Sequence, residues 1–357
     1  MDTLNNFDVL PERGQGGPLD ESQHPGARAP QVAAPSAWER AKLTPSLSCV
    51  IPCRNEARNL DLLLPLLCKL LPTITAQWEI VLVDDGSTDD TATVMAGWAE
   101  LPGIKVIQLS RNFGKEAALT AGLQAAAGQV VVLMDGDLQH PPGLIPEMFG
   151  HWRQGVDAVY AVRANRDDEG LLKRAGARLF YKLLNSSHRF QVPESGGDFR
   201  LMDRAVVDAL LALPERNRFM KGLYAWIGFD AVAVSYVPDS RVHGHSHFNL
   251  SRLIHLSLDG LTAFTTWPLR VVTIVGSLMA LAGLVYGGFL TLSYLIDGHP
   301  VSGWTTIVVS LLCFLGFQMI FLGIMGEYVA RIFEEVKARP LYVVKRKLGR
   351  GLDRTQQ

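Results

Sequence analysis

Two long uncharged runs near the end of the 357-residue chain restrict its fold more than any other feature. Val271–Ile296 and Gly298–Gly326 contain no Asp, Glu, Lys or Arg. Each is longer than the roughly 20 apolar residues that a helix needs to cross a bilayer. A buried helix of a soluble protein rarely stays uncharged for so long. The sequence therefore predicts two membrane-spanning helices joined by a turn at Asp297–Pro300.

Basic residues flank this hairpin on both sides. Arg270 precedes the first span, and the residues after the second span include Arg331, Lys337, Arg339, Lys345, Arg346, Lys347 and Arg350. Because cytoplasmic flanks carry an excess of Lys and Arg, we expect both flanks in the cytosol and the turn outside. Residues 331–357 are then expected to form a basic cytosolic tail, and both termini lie on the same side as the main domain.

The beginning of the chain and its composition exclude several classes of protein. Residues 1–44 are rich in Pro, Gly, Ala and Gln without apolar periodicity, which predicts a disordered tail. They lack the basic and apolar regions of a signal peptide. A formal net charge of −1 gives no drive toward nucleic acid. Four cysteines without a Cys-x-x-Cys pair indicate neither a zinc site nor a disulfide framework.

Strand and helix patterns alternate through the next part of the chain. The predicted strands are Leu47–Ile51, Glu79–Val83, Ile104–Leu109 and Val130–Met134, and the predicted helices are Glu56–Leu71, Asp89–Glu100 and Lys115–Ala127. Apolar strands that alternate with helices indicate an α/β fold whose parallel sheet is covered on both faces. Ligands of such sheets bind at the carboxyl ends of the strands.

Polar clusters follow three of these strands, namely Pro52–Glu56, Asp84–Ser87 and Asp135–Asp137. Asp135, Asp137 and the amide of Gln139 offer hard oxygen ligands, which Mg²⁺ or Mn²⁺ prefers. Such an ion neutralises charge on a leaving nucleoside diphosphate. The sequence therefore predicts a metal and nucleotide site at this edge of the sheet.

Other polar residues near these clusters have two interpretations each. Asp84 and Asp85 belong to a turn in which Ser87 or Thr88 caps the next helix, or accept hydrogen bonds from a base or ribose, and both interpretations can hold at once. Glu56 either reaches the nucleotide or is a first-turn acid of a helix that Asn55 caps. The loop Arg111–Lys115 either contacts phosphate or sugar or is a solvated loop.

Three further segments carry basic or histidine residues. Gly170–Ser186 and Leu250–Trp267 are basic and amphipathic, and either lie in the lipid headgroup region or pack on the main domain. Arg241–His247 holds three histidines, but no Cys or carboxylate lies nearby in a known ligand spacing, which argues against zinc.

These motifs resemble glycosyltransferase family 2, and more narrowly its polyprenyl-phosphate glycosyltransferases, such as the dolichyl-phosphate mannosyltransferases and bactoprenol glucosyltransferases. The resemblance runs from about Leu47 to Val344 and is carried by Pro52–Glu56, Asp84–Ser87, Asp135–Pro142 and Gly197–Arg200. It implies a GT-A, Rossmann-like catalytic domain at 45–248, an interfacial helix at 249–268 and a two-span hairpin at 269–330.

The resemblance also implies a role for each matching residue. The metal ligands are Asp135, Asp137 and Gln139; the nucleotide site comprises Pro52, Asn55, Glu56, Asp84, Asp85, Lys115 and Asp135; Arg178, Arg200 and Arg241 meet the acceptor phosphate; Asp198 and Asp137 are catalytic, with Asp198 at the acid/base position. One departure concerns the loop before the membrane, where His247 stands in place of the family's lysine. Phosphate binding there is expected to weaken above about pH 6.5.

The expected reaction is inverting transfer of a sugar from a nucleotide-sugar, with UDP-glucose as the first choice, to a polyisoprenyl phosphate at the cytosolic face of a bacterial inner membrane. The expected partners are both substrates and the lipid bilayer but no nucleic acid, and homo-oligomerisation is left open. A protein that only binds or translocates lipid-linked sugar is the alternative, although the spans lack the ionisable residues that a transport path requires. A processive polysaccharide synthase would need a Gln-x-x-Arg-Trp motif, which the sequence lacks.

Overall fold

The computed structural model describes residues 36, 39–40, 44–164, 181–182, 185, 191–193, 196–216, 218–237, 267–297 and 303–353. The strands are β1 (Leu47–Cys53), β2 (Trp78–Asp84), β3 (Ile104–Leu109), β4 (Val130–Leu133), β5 (Ala158–Arg163), β6 (Gly196–Asp203), β7 (Ala231–Tyr236) and β8 (Val344–Gly349). The helices are α1 (Ala57–Ile74), α2 (Thr91–Trp98), α3 (Lys115–Ala125), α4 (Ile145–Arg153), α5 (Arg204–Ala212), α6 (Met220–Trp226), α7 (Trp267–Asp297) and α8 (Trp304–Lys337).

The strands form one sheet of order β7-β5-β6-β4-β1-β2-β3-β8. The central pairs β4–β1, β1–β2 and β2–β3 are parallel, whereas β6 and β8 run antiparallel to their neighbours. Because β4, β1 and β2 are adjacent and parallel, their carboxyl ends lie along one edge of the sheet. This edge carries the three polar clusters that the sequence singles out.

Both faces of the sheet are covered, as the apolar strands predict. On β1, Cys49 and Ile51 pack in one core with α1, whereas Val50 packs in a second core with α3. The alternation follows from the two-residue period of a strand. At Gly122 of α3 a side chain would overlap Cγ1 of Val50, so glycine allows this helix to lie close to the sheet. The predicted α/β class is confirmed.

The segment 331–357, predicted as a basic tail, is placed differently. Residues 331–337 continue α8, and Val344–Gly349 forms β8 beside β3, with Val106 opposite Leu348. Half-buried Val344 and Leu348 enclose exposed basic residues, which is the pattern of an edge strand rather than of a free tail. The prediction of a separate tail was therefore wrong for this strand.

The N-terminal limit of the folded part also differs from the prediction. Arg40, inside the segment predicted to be disordered, is fully buried, and its guanidinium lies 2.7 Å from Oδ1 of Asp157 and 3.6 Å from Oδ2 of Asp203. It also donates to the carbonyls of Trp152 and Val156. A buried arginine requires such partners, and these come from distant parts of the chain that local sequence does not identify.

Two helices in the described part of the chain are long and apolar enough to cross a membrane, Pro268–Ile296 and Thr306–Lys337. Neither segment is buried within the protein. Large side chains such as Leu284, Leu295 and Phe289 are exposed, which an aqueous surface would disfavour. Most of Gly170–Ser186, with Arg178, and all of 238–266, with Arg241 and His247, lie outside the described residues, as does the turn at 298–300.

Candidate active site

The loops after β1 and β2 hold each other in place. Asn55 adopts a φ of 58°, its backbone N–H donates to Oγ of Ser87 at 3.0 Å, and its Oδ1 accepts from the N–H of Thr88 at 2.8 Å. Asn55 therefore ties two loops together. The prediction that it caps α1 was wrong, because Glu56 occupies the cap position without a capping side-chain bond.

The two carboxylates after β2 are used to shape these loops. Asp84 is buried and accepts from the N–H of Ser87 at 2.9 Å, whereas Asp85 accepts from the N–H groups of Phe113 and Gly114 at 2.7 and 3.0 Å. Burial raises the pKa of Asp85, and the two backbone N–H donors oppose that change. Asp85 thereby fixes the glycine turn that leads into α3.

The capping roles considered for Ser87 and Thr88 are not observed. The cap position of α2 is Asp90, without a side-chain bond, and Asp89 accepts from the N–H of Thr91 instead. Gly86 in the same turn has a φ of 64°, and a side chain there would overlap the backbone of Arg111. This turn therefore requires glycine, since bulkier residues rarely adopt positive φ.

Lys115, the first residue of α3, joins the loop after β4 to strand β6. Its Nζ lies 2.7 Å from Oδ1 of Asp135 and 2.7 Å from Oδ2 of Asp198. Burial alone would lower the pKa of Lys115, but the two carboxylates outweigh it and raise that pKa. Burial tends to raise the pKa of Asp198, yet Lys115, Lys221 and Arg200 lower it overall. Both partners are therefore ionised at neutral pH.

His140 also holds the loop after β4. Its Nδ1 accepts from the N–H of Asp135 at 3.0 Å, and its ring stacks on Phe199 with centroids 4.9 Å apart. Burial lowers the pKa of His140, which favours the neutral imidazole that this hydrogen bond requires. The sequence offered His140 only as a member of the motif, because its contact with Phe199 depends on the pairing of β4 with β6.

Of the three predicted metal ligands, Asp135 and Asp137 offer carboxylates, whereas the amide oxygen of Gln139 already accepts a hydrogen bond from another side chain. Oδ1 of Asp137 accepts from the N–H of Gln139 at 3.1 Å, and Oε1 of Gln139 accepts from Arg163 at 3.0 Å. Among the described residues no group of three His, Cys, Asp or Glu side chains could hold a metal. Asp135 and Asp137 still fit Mg²⁺ or Mn²⁺ chemically. Mg²⁺ usually takes one or two protein carboxylates and completes its shell with water and substrate phosphates.

A buried basic and aromatic group lies behind Asp198. The guanidinium of Arg200 lies 3.4 Å from the ring centroid of Tyr224 and donates to the carbonyl of Gly197 at 3.1 Å. Nearby, burial and then the charge of Asp198 raise the pKa of Glu116 to about 7. Sequence reasoning missed Glu116 and Tyr224, because they come near Asp198 and Arg200 from helices that are far from β6 in sequence. Of the three predicted acceptor arginines, the structure describes Arg200 alone.

Comparison with known proteins agrees with this architecture. The family described as Glycosyl transferase family 2 matches residues 48–211. A glycosyltransferase of Synechocystis sp., itself uncharacterized, is 44% identical over 85% of this chain and 95% of its own length. The SfII prophage-derived bactoprenol glucosyl transferase of Shigella flexneri is 41% identical over 84% of this chain and 97% of its own length. A prophage bactoprenol glucosyl transferase homolog of Escherichia coli is 39% identical, with 84% and 98% covered.

The chain belongs to glycosyltransferase family 2, and it is a glycosyltransferase with a GT-A-like α/β sheet. The predicted family, fold class and enzyme class are therefore confirmed. The individual site residues, the donor and the acceptor stay predictions.

Proposed function

We propose that the chain transfers glucose from UDP-glucose to a polyisoprenyl phosphate at the cytosolic face of a membrane, with inversion at the anomeric carbon. The observation that carries this proposal is the meeting of Asp135, Lys115 and Asp198 at one sheet edge, in a chain that also has two apolar helices. Relatives that the chain covers almost completely are named bactoprenol glucosyl transferases, which favours a lipid-phosphate acceptor.

The donor would bind across the loops after β1, β2 and β4. Asp135 and Asp137 would hold Mg²⁺ or Mn²⁺ there, and that ion supplies Lewis-acid stabilisation of the leaving diphosphate. Pro52, Asn55, Glu56, Asp84 and Asp85 would line the nucleotide site. Since Asn55 and Asp85 fix the loops, their contribution is to shape this site.

The acceptor needs positive charge more than it needs a base. A phosphate monoester has a second pKa near 6, so at pH 7 it is already largely a dianion. One of its oxygens would form a bond to the anomeric carbon while the bond to the diphosphate oxygen breaks, and the electron pair leaves with the diphosphate. Arg200, with Arg178 and Arg241, would offset the repulsion between the two anionic substrates.

Asp198 fits an orienting role better than that of a general base. The lowered pKa of Asp198 makes it a weak base, and its ion pair with Lys115 at 2.7 Å occupies one carboxylate oxygen. We therefore assign Asp198 to the positioning of Lys115 and Arg200 at the reaction centre. Helices α7 and α8 would confine the enzyme to the bilayer, where the acceptor phosphate also resides.

The test is a transfer assay with the full chain in liposomes that contain undecaprenyl phosphate. Radiolabelled UDP-glucose and a panel of other nucleotide-sugars are supplied separately, and label that partitions into organic solvent is counted. We expect UDP-glucose to give the highest rate and undecaprenol, which lacks the phosphate, to give no product. Absence of lipid product with every donor, or equal labelling of undecaprenol, would contradict the proposal.

A further inference from the structure

Lys115 bridges two carboxylates that serve different substrates in the proposed function. Its Nζ lies 2.7 Å from Oδ1 and 2.8 Å from Oδ2 of Asp135, so it contacts both oxygens of this predicted metal ligand. The same nitrogen lies 2.7 Å from Oδ2 of Asp198, on the strand beside β4. One ammonium group thus stands between the donor side and the acceptor side.

We propose that Lys115 is a placeholder cation, which neutralises Asp135 until a metal-bound donor arrives and then keeps its contact with Asp198 while it leaves Asp135 for the donor diphosphate. This inference rests on the proposed function and deepens it. It assigns to Lys115 the coupling between metal binding and donor binding. A lysine that only contacted the nucleotide would not compete with the metal.

The first argument concerns the charge around Asp135. A carboxylate oxygen has more than one lone pair, so Lys115 does not block the metal sterically. It does place a positive charge beside both oxygens that the metal would use. A divalent ion alone would be repelled, whereas an ion that carries a nucleoside diphosphate brings compensating negative charge. We therefore expect metal without nucleotide to bind weakly.

The second argument concerns the freedom of Lys115 to move. Its side chain is 44% exposed, and a lysine carries its charge on a flexible four-carbon stem. On leaving Asp135 it keeps its contact with Asp198, so one of its two ion pairs persists. Lys105 offers a contrast, because its partner Glu79 is fully buried and also bonds to Ser48 and to the N–H of Ala127. Lys105 is thus held by a fully buried partner, whereas both partners of Lys115 are partly exposed.

The third argument is the excess of acid at this edge. Burial, followed by the charges of Asp137, Asp135 and Asp89, raises the pKa of Glu56. Three further carboxylates thus act on Glu56 at this edge, and Lys115 contacts one of them, Asp135. We expect a divalent cation to offset these carboxylates when the donor is bound, and Lys115 to offset Asp135 when it is not.

The test measures the binding of Mn²⁺ alone to the full chain in detergent micelles, by the electron paramagnetic resonance signal of free Mn²⁺. Lys115→Met should bind Mn²⁺ at least about tenfold more tightly than the wild type, equivalent to about 1.4 kcal/mol. Lys69→Met, a matched loss of charge at an exposed position of α1, should bind as the wild type does. With UDP added, the gain in Mn²⁺ affinity should be smaller in Lys115→Met than in the wild type.

Should Lys115→Met fail to fold, Lys115→Gln repeats the measurement with an uncharged side chain that can still hydrogen bond to Asp198. Unchanged, weaker or undetectable Mn²⁺ binding in the folded variant overturns the placeholder role. Neither sugar nor lipid is present in this measurement. An enzyme that fails to glycosylate undecaprenyl phosphate would refute the proposed function and leave the Mn²⁺ result standing, and the reverse also holds.

Discussion

At the scale of single residues, Asp137 is the carboxylate whose removal should abolish most of the metal-dependent activity. Asp135 is shared with Lys115, whereas the bond that the structure gives to Asp137 comes from the N–H of Gln139. An amide in place of Asp137 keeps the shape and the acceptor oxygen of this bond. It removes the charge that would hold a divalent ion against a leaving diphosphate.

We therefore expect Asp137→Asn to lower turnover by about 100- to 1000-fold, the size of effect seen when one transition-state electrostatic contact is removed. Its thermal unfolding should match that of the wild type. Glu147→Gln, at an exposed position of α4, is the control for the loss of one negative charge and should keep full activity. If Asp137→Asn in excess EDTA turned over like the wild type with metal, the metal assignment would be wrong.

Glu116 makes a second residue-scale prediction, which concerns pH. Its pKa in the folded protein is about 7, above the ordinary value of 4.5. The folded state therefore holds the proton more tightly, and the stability contributed by protonated Glu116 is lost as pH rises from about 4.5 through 7. Glu116→Gln should remove this contribution. Between pH 5 and 8, the unfolding temperature of the wild type should fall more than that of Glu116→Gln, and parallel curves would refute the assignment.

The residue types of this site were predictable, but their partners were not. Asp135 and Asp137 follow a strand whose end the sequence pattern locates, and Asp198 belongs to the Gly197–Arg200 motif. That Asp85 bonds to the N–H groups of Phe113 and Gly114 could not be predicted, because those donors lie 28 and 29 residues away. For the same reason Asn55 reads as a helix cap in sequence and acts as a tie between loops in the structure.

At the scale of elements, β8 shows that the chain after α8 returns to the sheet that carries the candidate site. Gly103 N–H donates to the carbonyl of Arg350 at 3.1 Å, and Leu352 N–H donates to Oε2 of buried Glu79 at 2.9 Å. The segment after α8 thus completes the edge of the sheet. A chain that ends near Trp267 would expose β3 and leave this carboxylate short of a donor, so such a truncation is expected to destabilise the sheet.

Leu348 tests this contribution without truncation. It is half-buried and packs against the core that includes Val106, whereas the neighbouring Lys347 is exposed. We expect Leu348→Ala to lower the free energy of unfolding by about 1–2 kcal/mol, less than the 2–5 kcal/mol of a fully buried leucine. Lys347→Ala should change it by less than about 0.5 kcal/mol. Equal effects of the two substitutions on chemical unfolding would show that β8 does not support the sheet.

Elements whose partners are close in sequence were predicted well, and elements whose partners are far away in sequence were not. Strands β1 to β4 belong to consecutive βα units, and their predicted limits fall within two residues of the observed ones. The partners β3 and β8 are far apart in sequence, and both apolar helices α7 and α8 lie between them. Val344–Gly349 consequently offers only a short apolar and basic alternation, which is compatible with an edge strand and with a basic tail alike.

At the scale of the whole molecule, the sheet constrains how α7 and α8 could be placed in a membrane. Strand β3 precedes helices α7 and α8 in sequence, and β8 follows them, yet the two strands are hydrogen-bonded neighbours. Both flanks of the hairpin must therefore lie on the same side of any membrane that α7 and α8 span. This conclusion does not depend on the distribution of lysine and arginine, which adds only the choice of side.

That side should be the cytosol, where nucleotide-sugars are found and where the basic strand β8 would face anionic lipid, with about 1 kcal/mol for each Lys or Arg near the surface. Labelling of single cysteines by an impermeant maleimide checks this. Cys313, which is exposed, and Cys68 are first replaced by serine. Cys49 and Cys53 stay, because burial raises the pKa of both thiols, that of Cys49 to about 12, and keeps them unreactive.

In this background Gly298→Cys, between α7 and α8 in sequence, should react in intact cells. Thr355→Cys, shortly after β8, should react only after lysis. Reaction of both positions in intact cells would mean that α7 and α8 do not form a two-span hairpin. The reversed pattern would place the β3–β8 sheet, and with it Asp135 and Asp198, on the side away from the nucleotide-sugar, and the proposed transfer would then have no donor.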